Sequence, residues 1–282
     1  MREWNPPGTI VAFMSNFLQA TGSIIDAIRI NQMERSSRDG RRFWVKRRRG
    51  WSAGVIFFAN TFFRAAENPV IVWSNLRDWQ QWEIDSFILL HADEGFCAFA
   101  DGDRGVWAEQ LPGVVLEEPA REGRLTDEML AAAAKELKRA HRLPCGALGG
   151  RWSHGDPHLG NFVFDDTTCR ARLIDFELAH HPGMSEADRQ ADDLLVVFQS
   201  MMGYPGYVGP TGLQDWLAAV AHFLRFYRDG SGEEKAVFTQ LRRRLEPPTG
   251  IGRVWWSIRT DYISATERNR RIDVLKQFLA GF

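Results

Sequence analysis

Two aspartates and an asparagine fall in close order in the second half of the chain. Asp156 lies in His154-Gly155-Asp156-Pro157-His158-Leu159-Gly160-Asn161, five residues before Asn161, and Asp175 follows fourteen residues later in Ile174-Asp175-Phe176-Glu177. Between them, Phe162–Phe164 and Arg170–Ile174 read as short strands around the turn Asp165-Asp166-Thr167-Thr168. A tight hairpin there brings Asn161 and Asp175 together, and both offer the hard oxygen ligands that Mg2+ prefers. Phosphoryl transfer asks a protein for little more. The phosphates must be held by a cation, their charge neutralised by metal, and the acceptor hydroxyl oriented in line beside a carboxylate. Asp156 is the carboxylate left to face that hydroxyl.

The order and spacing resemble H-x-D-x-x-x-x-N followed by D-F-x, the catalytic loop and metal segment of the protein-kinase-like superfamily. That resemblance implies Asp156 as catalytic base, Asn161 and Asp175 as Mg2+ ligands, and ATP as donor. Phe43-Trp44-Val45-Lys46 resembles the strand that carries the phosphate-binding lysine, which implies that Lys46 meets the α- and β-phosphates. Its helix partner is then Glu83, in Trp82-Glu83-Ile84-Asp85, with Glu67 as the competitor nearer in sequence. Adenine is expected against the backbone of the connection Glu109-Gln110-Leu111-Pro112-Gly113, which makes Glu109 and Leu111 nucleotide-binding positions.

The chain also departs from the pattern. No G-x-G-x-x-G precedes Lys46, and Ala20-Thr21-Gly22-Ser23 is the one upstream turn that could cover phosphates. Gly155 stands where many protein kinases carry an arginine that reads activation-loop phosphorylation. Glu177 replaces the glycine after Asp175-Phe176, to add a metal contact or to cap the turn. His158 is expected to brace the loop. About seventeen residues separate Asp175 from Asp192-Asp193, with no A-P-E between them, which is short for a peptide platform. A protein substrate is therefore disfavoured.

The elements that must position these groups divide the chain. Residues 24–34 and 41–47 read as strands joined by the turn 36–40, followed by an aromatic-rich stretch at 51–73 and a helix over Leu76–Leu90. Segments 95–100 and 105–110 form a hairpin about Asp101-Gly102-Asp103. Thr126 caps a helix running to about His141, and further helices are expected near 186–202, 212–228, 233–244 and 262–280. A strand-rich front with one helix and a helical back predict an α+β, two-lobed fold. The small N-lobe is 1–112 and the larger, helical C-lobe 113–282.

At 282 residues with a net charge of −1, the chain can bury a real core and shows no field suited to nucleic acid. Cys97, Cys145 and Cys169 are scattered and odd in number, as expected of reduced thiols in a cytoplasmic protein. Met1–Pro7 lacks the apolar run of a signal peptide, and the uncharged run Trp51–Phe63 falls short of the ~20 residues that span a bilayer.

The acceptor is approached through Arg41–Arg49 and the aromatic run after it. Basic and aromatic residues together suit a surface that meets anionic lipid, against the alternative of a lobe core beneath a solvated strand. In this region, in its compact catalytic loop and in length, the chain resembles bacterial lipopolysaccharide (Kdo/heptose) kinases. Its His-Gly-Asp loop is equally similar to aminoglycoside- and choline-type kinases. The expected acceptor is thus a sugar hydroxyl of lipopolysaccharide core or a related glycolipid, met at the inner face of the inner membrane. The alternatives are a soluble sugar, amino alcohol or aminoglycoside, or a kinase-shaped binding protein without turnover.

Overall fold

The computed structural model describes residues 30–228, 230, 232, 234–246 and 263–281. The candidate turn Ala20–Ser23 and the first part of the expected strand 24–34 lie outside these residues. In chain order the front half comprises β1 (Asn31–Arg38), β2 (Arg41–Arg48), α1 (Ser52–Ala65), β3 (Val70–Val72), α2 (Leu76–His91), β4 (Ala98–Asp101) and β5 (Gly105–Glu109). Four of the strands form an antiparallel sheet in the order β1-β2-β5-β4.

Two details differ from the sequence expectation. The first strand runs through Ser36 and Ser37, and only Asp39-Gly40 forms the turn, with φ of 50° and 75°. Two consecutive positive-φ residues give the primed turn whose twist matches a two-residue hairpin, so Asp-Gly is where the chain reverses. The front also holds a second helix, because 52–65 of the aromatic-rich stretch is helical.

Period two along β2 sorts its side chains. Phe43 and Val45 face one side, where Phe43 meets Phe99 and Trp107 at ring distances of 5.5 and 5.6 Å. Lys46 and Arg48 face the other side, where Lys46 pairs with Val106 of β5 and Val106 in turn pairs with Ala100 of β4. These smaller residues make room for α2 to lie against the sheet. Asn75 caps α2, its side chain accepting from the Arg77 amide at 2.8 Å, and Trp79, Trp82, Glu83, Ser86, Phe87 and Leu90 form its buried face.

The back half adds β6 (Val114–Val115), α3 (Glu117–Arg121), α4 (Asp127–Ala140), β7 (Pro144–Cys145), β8 (Gly150–Arg151), β9 (Phe162–Asp165), β10 (Arg170–Leu173) and β11 (Leu178–His180). It continues with α5 (Glu186–Met201), α6 (Gly212–Tyr227), α7 (Glu234–Arg244) and α8 (Ala265–Leu279). Thr126 caps α4 as expected, accepting from the Met129 amide at 3.3 Å. The α+β architecture is thus two-lobed, a small sheet with helices in front and a helical body behind. At the crossing, Gly113 adopts φ +117°, and a Cβ there would lie 2.1 Å from the Phe164 carbonyl oxygen. Only glycine lets the connection pass β9 this closely.

Several ties join the halves, among them one from the end of α2 and one strand pairing. The last residue of α2, His91, donates from Nε2 to the Leu173 carbonyl of β10 at 2.8 Å, and burial pushes its pKa down to about 4, so the ring is neutral. β11 pairs with β3 in an antiparallel ladder, Leu178 to Val72 through His180 to Val70.

The loop 154–161 hangs from α5 by one carboxylate. Asp193 accepts from the backbone amides of His154 and Gly155, each at 2.8 Å, and from His141 Nε2 at 2.9 Å. His141 in turn meets the Tyr227 hydroxyl at 2.7 Å. Gly155 must take φ +88° for the loop to turn here. Burial alone would raise the Asp193 pKa, but His180 and His141 outweigh it and bring it down to about 2. A carboxyl with a depressed folded-state pKa lends stability above its unfolded value and loses it as pH falls through the folded one. Stability should therefore drop by about 2 kcal/mol between pH ~4 and pH ~2. Asp193→Asn should remove that acid-limb loss while lowering stability near neutrality, as read from urea unfolding at each pH.

Candidate active site

Lys46 stands at the centre of the site. Its Nζ lies 2.7 Å from Glu83 Oε1, 2.5 Å from Asp175 Oδ1 and 3.5 Å from Glu177 Oε1. Three elements thus meet on one ammonium: β2, α2 and the segment after β10. Glu83 is also the acceptor for Trp79 Nε1, one turn back on α2, at 3.2 Å. Glu67, the alternative partner in the sequence, is an exposed residue just past α1.

The electrostatics follow from burial. Burial alone would lower the Lys46 pKa, but Asp175, Glu83 and Glu177 together hold it well above its ordinary value. Glu83 is raised by burial in spite of Lys46, whereas for Asp175 the nearby Lys46 outweighs burial and lowers it. Glu177 is pushed up to about 7 by burial and then by Asp175, and Asn31 Nδ2 donates to it. Glu83, Asp175 and Glu177 place one oxygen each within 4.8 Å of one another. Three carboxylates face Lys46 and the nearby Arg48 guanidinium, which leaves one negative charge in excess when all are ionised, and a divalent cation would offset it.

The expected hairpin forms, with Phe162 opposite Leu173, and the Ile174 amide donates to the Asn161 carbonyl at 2.9 Å. Asn161 and Asp175 therefore sit at the same end of the hairpin. The Asn161 side-chain Nδ2 donates to the Asp156 carbonyl at 2.8 Å, which fixes the side chain and leaves its Oδ1 as the atom of ligand type. Asp175 itself adopts φ +65°, rare for any residue but glycine, asparagine or aspartate, and such outliers cluster at functional sites. Asn161, Asp175 and Glu177 thus fit Mg2+ by donor chemistry.

The Asp156 side chain is 35% exposed, with His158 Nε2 at 3.9 Å. His158 braces the loop as expected, accepting from the Gly160 amide through Nδ1 at 3.0 Å. Asp156 opens into a cavity of about 220 Å3 that Glu117, His158, Gln199, Ser200 and Tyr204 also line. No lysine or arginine lines it among the described residues. Glu117 pairs with exposed Arg121 at 2.8 Å, and burial followed by Glu117 raises the Tyr204 pKa. Glu117 and Tyr204 went unnoticed in the sequence, where no motif marks them.

At the connection, the Glu109 carboxylate is taken up by Arg41, at 2.8 and 2.7 Å, and by the Cys97 amide at 3.2 Å. Leu111 is a core residue. Whatever either position offers a nucleotide comes from its backbone.

The basic run is largely spent within the fold. Arg41 pairs with Glu109, and Arg47 with Asp101 and Glu34. Arg48 is buried over the Trp79 ring at 4.4 Å and donates to the Trp73 carbonyl. The aromatic half of the expected surface is open, with Phe57 67% and Phe58 74% exposed on α1. Among the described residues no helix is long and apolar enough to cross a membrane.

No protein-family model matches the chain. No curated protein matches it either. Among solved structures it is similar to the complex of Rv3197 with erythromycin from Mycobacterium tuberculosis, at a TM-score of 0.39 and 19% identity over 57% of this chain. The match spans 46% of that protein's length. A likeness this slight identifies no family.

Removing one member of a buried ion cluster leaves the others uncompensated, at a typical cost of about 3–5 kcal/mol. Lys46→Met should destabilise the protein by that order in urea unfolding. Adding Glu83→Gln to it should recover part of the loss, because one of the stranded carboxylates becomes neutral. A double substitution that simply summed the two single losses would show that the ion pair is not the coupling seen here.

Proposed function

We propose that the chain is a Mg2+- and ATP-dependent phosphotransferase acting on a hydroxyl of a small acceptor bound beside Asp156. The observation that carries this is the gathering of Glu83, Asp175 and Glu177 around buried Lys46, together with the cavity that Asp156 lines. In this reading Lys46, oriented by Glu83, holds the α- and β-phosphates, and adenine lies along the backbone from Glu109 to Leu111. Asn161 and Asp175, with Glu177 as a further oxygen donor, would hold Mg2+. Bound metal would supply charge neutralisation on the phosphates. Asp156 orients the acceptor hydroxyl and takes its proton.

The acceptor we favour is a sugar hydroxyl, on a free sugar or on a glycolipid. The cavity offers hydroxyl, amide, imidazole and carboxylate groups, which match a polyol. Glu117 and Asp156 would repel an acidic sugar and attract an amine, which favours neutral or amine-bearing acceptors over an anionic core sugar such as Kdo. The same carboxylates support a second reading, a soluble amino alcohol or aminoglycoside as acceptor. Exposed Phe57 and Phe58 support peripheral contact with a membrane surface, and the internal pairing of Arg41 and Arg47 weakens its electrostatic part.

Transfer of the γ-phosphoryl group from labelled ATP should be followed across lipopolysaccharide, neutral sugars, amino sugars and amino alcohols. Asp156→Asn should lower turnover by about 100- to 10,000-fold while Mg-ATP still binds. Asp175→Ala should abolish Mg2+-dependent nucleotide binding in calorimetry. Glu117→Gln should raise KM for amine-bearing acceptors and leave KM for ATP unchanged. No transfer to any acceptor, together with no Mg-ATP binding, would leave a binding protein instead.

A further inference from the structure

A second cavity, of about 420 Å3, lies behind α2, between that helix and the hairpin of β7 and β8. Nothing in the proposed phosphotransfer uses it. Three indoles line it, from Trp73, Trp82 and Trp152, and two carboxylates on α2 border it, from Asp78 and Asp85. No lysine or arginine lines it among the described residues. Asp78 and Asp85 lie seven residues apart on one face of the helix, about 10 Å along its axis.

The indoles divide by their hydrogen bonding. Trp152 Nε1 donates to Ser86 Oγ at 3.1 Å. Trp82, only 4% exposed, and Trp73 keep their Nε1–H groups out of solvent with no acceptor. Native proteins seldom leave a buried donor unpaired, because its lost hydration is not repaid. Aromatic faces and carboxylates attract positive charge. The volume falls in the range of small-molecule sites.

We infer that this cavity is a ligand site for an organic cation with an apolar body, distinct from the Asp156 cavity. The positive group lies between the indole faces and the Asp78 and Asp85 carboxylates, and the apolar body fills the space toward the β7–β8 hairpin. The opposite side of α2 presents Glu83 to Lys46, so an occupant bears on the helix that supplies half of that ion pair.

The probe for the test is benzyltrimethylammonium, which cannot lose its charge and has no hydroxyl to be phosphorylated. Titrated into the full chain, it should quench tryptophan fluorescence saturably and bind one site in calorimetry with a Kd below about 1 mM. Benzyl alcohol, its neutral counterpart, should bind at least about tenfold more weakly. The Asp78→Asn/Asp85→Asn double variant alters exposed positions, so folding should be intact by circular dichroism, and affinity should fall at least about tenfold. Glu117→Gln should leave probe binding unchanged. Absence of saturation up to about 10 mM, equal binding of the neutral compound, or loss in Glu117→Gln with retention in the double variant would each overturn the assignment. All of these readouts are independent of phosphoryl transfer.

Discussion

Burial of the Lys46 ammonium is the constraint on which the arrangement depends. An isolated charge in a protein interior is prohibitively costly, so Lys46 can sit beneath its sheet only if carboxylates come to it. They come from elsewhere in the fold, Glu83 from α2 and Asp175 and Glu177 from the segment past β10. The small residues Val106 on β5 and Ala100 on β4, the asparagine cap on α2 and the tie from His91 to Leu173 all serve to bring these groups within reach. The front sheet, its helix and the hairpin of the back half are therefore one electrostatic unit.

The loop 154–161 is held differently. Gly155 takes a left-handed conformation, and its amide, with that of His154, donates to Asp193. Asp193 is permanently present on α5 and is itself held by His141 and, through it, Tyr227. A loop fixed by a buried carboxylate needs no added phosphate to order it.

What the sequence showed, and what it hid, divides along physical lines. The loop residues, the hairpin joining Asn161 to Asp175 and the long helices of the back half were legible because turn chemistry and helical period are local signals. Glu83 could be preferred to Glu67 because it sits on the apolar face of a capped helix. The end of the first strand lies four residues beyond the expected one because β1 is an edge strand whose last residues, Arg35 to Arg38, are all polar. α1 was missed because Phe57-Phe58 and Phe62-Phe63 come in adjacent pairs, and Phe57 and Phe58 point to solvent, which blurs any helical stripe. Asp193 and Glu117 gain their roles from His154, His141 and Tyr204, groups distant in sequence. The arginines of β2 read as a solvated patch, yet their partners Glu34, Asp101 and Glu109 lie on other strands.

The short ladder between β11 and β3 has a mechanical consequence. It is a tether anchoring the stretch beyond Asp175 to the front half, while the Ile174 amide anchors the stretch before it to Asn161 in the back half. If the halves swing apart, the slack must come from Asp175 to Glu177, the three residues between those anchors. The left-handed backbone of Asp175 is the joint within that span. Any swing of the halves and the position of the Asp175 and Glu177 carboxylates are thus geared together.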